Sequence, residues 1–308
     1  MAILTPALIN ALQVGFRKEF QNGLGMADPQ WQRIATLIPS SGKSTTYGWL
    51  GKFPKFREWI GPRVINDMQA HGYSIVNKDW ESTIGVDRND IEDDEVGIYN
   101  PLFQEMGMAA AGFADEQVFP LLDAGTTNLC YDGQNYFDTD HPVYANADGS
   151  GAAVSVSNFT DGAGPAWFLM DVRRPLKPII FQERKKVKFD RMDKADDEEV
   201  FMRKQFRYGA DCRANAGYGF WQLAHCSKAE LTPENIWAAY QAMRSVKADG
   251  GKPLGVRPGL LVVRAGQEKK AEDALKQLIN GGESNTLHGK LELLVPDWLD
   301  YEVTSPRV

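Results

Sequence analysis

Residues 100–122 read NPLFQEMGMAAAGFADEQVFPLL, and this stretch decides the fold. Large apolar side chains recur along it at helical spacing, an asparagine and a proline stand where a helix would begin, and Asp123-Ala124-Gly125 follows where one would end. The pattern predicts a helix over residues 101–122, about 33 Å long at 1.5 Å per residue. Its middle, Ala109-Ala110-Ala111-Gly112, predicts a place where another backbone approaches closely.

The segment before this helix begins with a four-residue repeat of apolar side chains. Leu8, Leu12, Phe16 and Phe20 form one stripe of a short amphipathic helix. The stretch that follows ends at residues 39–46 in proline, glycine, serine and threonine, which favour turns and loops. We therefore interpret residues 1–46 as an arm and not as a core element.

Between the arm and the long helix, the apolar pattern changes to a period of two. Residues 73–76 and 80–86 flank Asn77-Lys78-Asp79, which predicts a hairpin of two strands and a turn. The chain before it is aromatic but is interrupted by Gly51, Pro54, Gly61 and Pro62. Its aromatic side chains need burial elsewhere, and another subunit is one candidate. These side chains are Trp49, Phe53, Phe56 and Trp59.

The sequence after residue 125 has two regions with different apolar patterns. Residues 126–166 predict surface loops with short strands, and residues 167–170, 178–181 and onward to Trp221 predict an antiparallel sheet. From Leu231 the pattern is helix, strand, helix, strand, which predicts a compact α/β lobe. Together these elements predict the α+β fold class.

Composition excludes several classes of protein. The 308 residues suffice for one large domain or two lobes, and no apolar run approaches the length of a membrane span. A net charge of −7 argues against a dedicated DNA-binding protein. The first residues lack a signal-peptide pattern, so we expect a cytoplasmic product. Cys130, Cys212 and Cys226 are spaced neither for disulfides nor for zinc, and we expect buried thiols.

Short motifs that resemble chemical sites are weak. Ser41-Gly42-Lys43-Ser44 lacks the first glycine of a phosphate loop. The acidic run 87–95 lacks the glycine of a calcium loop; a helix N-terminus favoured by its dipole explains it better, and a docking patch for a basic neighbour is the alternative. Residues 138–142, Asp-Thr-Asp-His-Pro, have metal-binding side chains, but turn and capping chemistry explains them better. We therefore predict no catalytic residues, no cofactor and no metal, and we favour a structural subunit over an enzyme.

Several longer strings identify the chain as a member of a known family. They are TYGWLGKFP at 46–54, AHGYSIVN at 70–77, GIYNP at 97–101, FQEMG at 103–107, CYDGQN at 130–135, FQERK at 181–185, AGYGFWQ at 216–222 and GKLEL at 289–293. These strings resemble the major head protein of Mu-like bacteriophages, and they are spread over nearly the whole chain.

The resemblance implies a Hong Kong 97-type capsid fold and assigns each predicted element to a part of that fold. The arm would be 1–46, the extended loop hairpin 47–88, the peripheral domain 89–228 with its spine helix at 101–122, the axial domain 229–296, and the C-terminal tail 297–308. One departure from the family pattern is that strands between Trp167 and Gln222 precede the axial domain, whereas peripheral strands commonly follow it. The boundaries after residue 125 depend on how this is resolved.

The resemblance also implies a function and a set of partners. Copies would form hexamers and pentamers of an icosahedral head that encloses double-stranded DNA without sequence-specific binding. Partners would be the chain itself, a scaffold or protease during assembly, a portal and in some cases a decoration protein, but no membrane. The particle would be assembled in the host cytoplasm and would become the virion capsid. A nanocompartment shell of the same fold and an uncharacterised soluble enzyme are the alternatives.

Two oppositely charged tracts predict where neighbouring copies meet. Bases on the presumed loop would pair with acids that precede the spine helix of another copy, so that many weak contacts sum over the shell. The bases are Lys52, Lys55, Arg57 and Arg63, and the acids are Asp90, Glu92, Asp93, Asp94 and Glu95. With the four loop aromatics, they are the predicted intersubunit residues.

Overall fold

The computed structural model describes residues 5–48, 50, 72–93, 96–147, 149–194, 197–277, 279–280 and 283–300. The helices are α1 (Pro6–Met26), α2 (Arg88–Glu92), α3 (Asn100–Val118), α4 (Pro120–Ala124), α5 (Glu198–Arg203), α6 (Pro233–Ser245) and α7 (Glu268–Lys276). The strands before α5 are β1 (Ala35–Pro39), β2 (Ser44–Thr46), β3 (Ser74–Val76), β4 (Lys78–Asp87), β5 (His141–Tyr144), β6 (Ala153–Val156), β7 (Phe159–Thr160), β8 (Trp167–Met170) and β9 (Ile179–Met192). After α5 come β10 (Gln205–Tyr218), β11 (Ala224–Ser227), β12 (Leu260–Val262), β13 (Ile279–Asn280), β14 (Glu283–Ser284) and β15 (Glu292–Leu294).

The long predicted helix is confirmed as two consecutive helices. α3 ends at Val118, and Pro120 starts α4, because a proline cannot donate the hydrogen bond that would continue the helix. At the other end, a 3₁₀ turn, Val96–Tyr99, leads directly into α3, so the flanking residue is Tyr99 and not Asn100 as the sequence indicated. Phe103, Met106 and Val118 lie on the buried face.

α1 is the predicted amphipathic helix, but the interpretation that it takes no part in a core is wrong. Phe16 and Phe20 are buried, and the ring of Phe16 stacks on Phe103 of α3 at 4.3 Å between centroids. Thr5 caps the helix by accepting a hydrogen bond from the amide of Leu8 at 3.2 Å. Whether residues 1–46 also reach another copy stays a prediction.

Glycines set the distance between α1 and α3. A Cβ atom on Gly107 would lie 2.1 Å from the carbonyl oxygen of Phe20, and one on Gly23 would lie 2.0 Å from that of Gln104. The predicted close approach at Gly112 is not found within the described part of one chain, where no atom lies within 4 Å of a Cβ added there. The two backbones meet more than one helical turn earlier.

The predicted hairpin over residues 73–86 is also wrong, because its two strands have different partners. β3 pairs antiparallel with β2, whereas β4 pairs antiparallel with β10 in a four-stranded sheet of order β1-β9-β10-β4. The chain between β2 and β3 therefore leaves and returns at one two-stranded base. The predicted loop boundary at 88 takes in β4, which belongs to the larger sheet.

The second sheet explains why strands precede the predicted axial domain. It has five strands in the order β15-β12-β8-β11-β7, so β7, β8 and β11 join a lobe that was predicted to begin only at residue 229. The predicted helix-strand-helix-strand order within that lobe is confirmed. β9 and β10 form a long antiparallel ribbon inserted between β8 and β11, with α5 at its tip.

Two hydrophobic clusters hold these layers together. The larger one joins the five-stranded sheet, the ribbon base and the C-terminal half of α3, and the smaller one joins α1, the N-terminal half of α3 and the distal ribbon. Within the described ranges, no helix combines the length and hydropathy that crossing a bilayer requires.

Candidate functional site

Most of the predicted intersubunit residues cannot be placed. Ten of them lie outside the described residues: Trp49, Lys52, Phe53, Lys55, Phe56, Arg57, Trp59, Arg63, Asp94 and Glu95. Asp90, Glu92 and Asp93 are described and lie in and immediately after α2. Tyr47 and Leu50, at the start of the same loop, are buried within their own chain.

The acids around α2 have partners within the chain. Asp87 caps the helix by accepting a hydrogen bond from the amide of Asn89 at 2.8 Å, as expected of an acid at a helix N-terminus. The hydroxyl of Tyr99 donates to Asp90, and Arg88 pairs with Glu92 at 2.9 Å. The acidic run is therefore at least partly a capping structure.

The base of the loop is held by a buried polar network centred on Gln182 of β9. The hydroxyl of Tyr47 donates to Gln182 Oε1 at 2.7 Å, and Gln182 Nε2 donates to Asn77 Oδ1 at 2.7 Å and to the carbonyl of Ile75 at 3.1 Å. Asn77 Nδ2 in turn donates to Ser40 Oγ at 3.0 Å. Burial raises the pKa of Tyr47 to about 12, so its hydroxyl stays a donor at neutral pH.

This network brings together three of the strings that carry the family resemblance, although they are far apart in sequence. Tyr47, Asn77 and Gln182 each come from a different one. Because one fully buried amide bonds to both ends of the loop, the network fixes where residues 47–73 leave and re-enter the body. The sequence did not single out Gln182, because an isolated glutamine in a strand pattern gives no signal of its partners.

Replacing Gln182 with leucine is expected to lower the free energy of unfolding by about 3 kcal/mol. The reason is that Tyr47, Ile75 and Asn77, at the two ends of the loop, each lose a hydrogen-bond partner. Denaturant unfolding of the full chain measures the loss, and hydrogen exchange at Ile75 and Val76 should rise with it. Tyr47→Phe removes a single donor and should cost only about 1 kcal/mol. Equal stability of Gln182→Leu and the parent chain would contradict an anchoring role.

The tip of the ribbon presents a surface that the sequence analysis missed. Phe201 and Met202 of α5 are 78% and 70% exposed, and Met192 at the end of β9 is also exposed. Beside them lies a pocket of about 740 Å³ between α5 and the start of α1. Its apolar floor includes Ile9, Val200 and Phe206, its rim carries the exposed bases Arg88, Arg191, Lys194 and Lys204, and its one acid, Asp193, is buried.

A signal for this surface was present in the sequence. Two large apolar residues stand together at 201–202 between four acids at 196–199 and two bases at 203–204. Such a pair on a charged stretch favours an exposed contact, since a core segment would continue its apolar period.

The predicted turn chemistry at residues 138–142 is confirmed, but its histidine has an unexpected partner. Asp138 accepts hydrogen bonds from the amides of Thr139 and Asn135, at 2.7 and 3.3 Å. His141 is fully buried, and its Nδ1 lies 2.8 Å from Asp132 Oδ2. Cys130 Sγ donates to the other oxygen of Asp132 at 3.0 Å.

Both ring nitrogens of His141 face oxygen acceptors. Nε2 lies 3.1 Å from Oδ1 of Asn158, whose Nδ2 donates to the backbone carbonyls of Tyr136, Trp221 and Ala224 and so fixes the amide orientation. A hydrogen bond to each acceptor needs a proton on each ring nitrogen, so this geometry predicts an imidazolium paired with the Asp132 carboxylate. The ring stacks on Trp221 at 4.0 Å between centroids, where the indole face favours a cation.

The electrostatics of Asp132 agree with this pairing. Burial raises the pKa of Asp132, but hydrogen bonds from His141 and Cys130 outweigh burial and leave the pKa below its ordinary value. Ligand atoms of Cys130, Asp132 and His141 lie within 4.8 Å of one another, a spacing that metal sites share. Both ring nitrogens of His141 already have partners, so the side chains of Cys130, Asp132, His141 and Asn158 form a continuous chain of hydrogen bonds.

The cysteines and the other buried histidine behave as ordinary core groups. The three thiols are buried, as expected, and burial raises the pKa of Cys212 to about 11 and that of Cys226 to about 12. Burial lowers the pKa of His225 to about 4, so this ring is neutral at pH 7. His225 hydrogen-bonds to Thr160 Oγ1 at 2.9 Å, whereas His141 has a carboxylate partner.

Comparisons with known proteins agree on one family. The model of the Mu-like prophage major head subunit gpT matches residues 9–299. The major capsid protein of Escherichia phage Mu is 50% identical over 304 residues, which cover 96% of this chain and all of that protein. A chain of the bacteriophage JBD30 procapsid is 54% identical with a TM-score of 0.86, covering 96% of this chain and all of that one. A chain of the JBD30 capsid decorated with minor capsid protein trimers is 41% identical with a TM-score of 0.74, covering 97% and 100%.

Proposed function

Because the chain belongs to the Mu-like prophage major head subunit family, we propose that its copies form the hexamers and pentamers of an icosahedral head enclosing double-stranded DNA. The chain is a major capsid protein of a phage head with the capsid fold of its relatives. The observation that supports the finer proposal most is its similarity to a procapsid subunit over 96% of its length. Closed rings of heterologous contacts would then build the shell.

The loop anchored at Gln182 is the first contact in this proposal. The two ends of the loop, at Tyr47 and Tyr73, lie at one fixed base, and in this proposal its aromatic and basic side chains would contact a neighbouring copy. These are Trp49, Lys52, Phe53, Lys55, Phe56, Arg57, Trp59 and Arg63, as the sequence predicted. Asp90 and Glu92 already have partners in their own chain, so we keep them only as secondary partners for the loop.

Charge supports enclosure of DNA without tight binding to it. Residues 89–172 contain fifteen aspartate and glutamate residues and no lysine or arginine, and the whole chain carries −7. A chain with a net negative charge has little attraction for phosphate, so packaged DNA would be retained by the wall and not by adhesion. Assembly would take place in the host cytoplasm with a scaffold or protease and a portal, and a decoration protein would bind later, as minor capsid protein trimers do in JBD30.

The test of this function is electron microscopy of the purified full chain. We expect angular shells, tubes or hexamers, because many weak contacts repeat at every interface. A small uniform particle at all concentrations and salt conditions would contradict self-assembly. Shells that retain a protein cargo in place of DNA when purified from infected cells would favour the nanocompartment alternative.

A further inference from the structure

The ribbon-tip pocket has the chemistry to receive an acidic and apolar partner. Its floor is apolar and its rim carries four bases. Arg88 and Arg191 already pair with Glu92 and Asp193 of their own chain, which leaves Lys194 and Lys204 for a partner. The exposed pair Phe201 and Met202 extends the apolar surface outward from this floor. A partner therefore needs exposed apolar side chains among acids and few bases.

The loop of a neighbouring copy does not fit this description. Its residues 52–63 carry Lys52, Lys55, Arg57 and Arg63 against a single acid, Glu58, so the cationic rim would repel it. The start of α3 does fit. Ile98 and Leu102 are 61% and 50% exposed there, with Asp93 before them and the exposed Glu105 after them.

The surrounding sequence strengthens this complementarity. The start of α3 lies in the 84-residue stretch without lysine or arginine, whereas residues 173–213 carry thirteen bases against eight acids and supply three of the four rim bases. Because Ile98 and Phe201 are both mostly exposed, neither covers the other within one chain. The two surfaces are complementary but unmatched in the single chain.

We propose that the ribbon-tip pocket of one copy receives Ile98 and Leu102 at the start of α3 of a second copy. The contact is heterologous, so it passes from copy to copy, as the rings of the proposed shell require. The bases Lys194 and Lys204 face Asp93 and Glu105 of the incoming copy and set its orientation, while the apolar side chains supply burial. This inference rests on the proposed assembly function, because it names one of the contacts through which copies meet.

Paired cysteines test the contact directly in assembled particles. The three native thiols are buried, so Ile98→Cys and Phe201→Cys add the reactive ones. We expect oxidised shells of the double variant to give a ladder of multimers on a denaturing gel without reductant, and each single variant to give none beyond dimers. Phe201→Cys combined with Val154→Cys is the matched control, because Val154 is 66% exposed on β6, and it should give no ladder.

The possible outcomes separate this contact from the assembly function. If the parent chain forms no shells, the proposed function fails and this inference fails with it. If shells form but the thiols introduced by Ile98→Cys and Phe201→Cys link only within one chain, or do not link at all, this contact alone is refuted. A link within the monomer between Ile3→Cys and Phe201→Cys would also refute it, because the chain's own first residues would then fill the pocket.

Exchanging the charges of Lys194 and Asp93 provides a second, independent test of the contact. Lys194→Glu should reduce the yield of shells at low salt at least tenfold while the thermal stability of the unassembled chain stays the same. Adding Asp93→Lys should restore the yield to within about twofold, because the paired charges are exchanged. Rescue of Lys194→Glu by a loop change such as Glu58→Lys, and not by Asp93→Lys, would overturn the proposal.

Discussion

Replacing Gly107 with alanine is expected to destabilise the chain by about 3 kcal/mol, at the upper end of the cost of overpacking. The new Cβ would lie 2.1 Å from the backbone oxygen of Phe20 and 3.0 Å from the Cα of Gly23, and neither atom can rotate away. α1 and α3 would have to separate, which would also disturb the stacked rings of Phe16 and Phe103. Denaturant unfolding of the full unassembled chain measures the effect.

The same helix provides a matched control. Gly112→Ala makes the identical chemical change where none of the described atoms lies within 4 Å of the new Cβ, so it should stabilise the chain by up to about 1 kcal/mol through helix propensity. Gly15→Ala is the corresponding control in α1 for Gly23→Ala. If Gly107→Ala and Gly112→Ala had the same stability, the close approach of the two backbones would be excluded.

The second large effect is expected from Asp132→Asn. This change keeps the shape of the side chain but leaves the buried imidazolium of His141 without its counter-charge. Breaking a buried ion pair at one partner costs about 3 to 5 kcal/mol, because the remaining charge stays desolvated. Unfolding of the unassembled chain at pH 7 gives the value. Asp140→Asn is the control, since Asp140 is exposed on the same loop, and it should behave as the parent chain does.

The cost of Asp132→Asn should depend on pH with a defined sign. The pKa of Asp132 lies below its ordinary value in the folded chain, so its ionised form stabilises the fold above the unfolded-state pKa of about 4. This stabilisation is lost as the pH falls through the lowered folded-state pKa. The stability difference between the parent chain and the variant should therefore be full near pH 7 and shrink below about pH 4.

Nitrogen NMR of histidine-labelled protein tests the charge state that underlies this prediction. At pH 7, both ring nitrogens of His141 should carry protons, whereas His225 should show one protonated and one bare nitrogen. A bare nitrogen on His141 in the parent chain would show that the pair is neutral. The large cost of Asp132→Asn would then have another cause.

Local patterns in the sequence predicted elements well, but they did not predict which elements pair. The long helix and the α/β lobe were correct because helical spacing, caps and buried strands depend on neighbouring residues. The hairpin was wrong because two adjacent strand patterns do not reveal that β3 pairs back with β2 and β4 pairs with a strand about 120 residues later. The axial boundary was wrong for the same reason, since β8 and β11 join that sheet from outside the predicted range.

The candidate sites show the same limit at the level of single residues. A run of small residues drew attention to Gly112, whereas the helix contact depends on Gly107, which only the position of α1 can reveal. His141 was grouped with Asp138 and Asp140 because they are close in sequence, but its carboxylate partner is Asp132. The acidic run was compatible with both a helix N-terminus and a docking patch for a neighbour, and capping and a tyrosine engage part of it within the chain.

Because the ribbon of β9 and β10 is long, a small rotation at its base produces a large displacement at its tip. Fourteen residues in each strand make it roughly 45 Å long at about 3.3 Å per residue, so a rotation of about 5° at its base moves the tip by about 4 Å. The pairing of the two strands shifts register around Arg213, and such irregularities let a ribbon bend locally. In the proposed five-fold and six-fold rings, bending of the ribbon would let α5 at its tip meet neighbouring copies at slightly different angles.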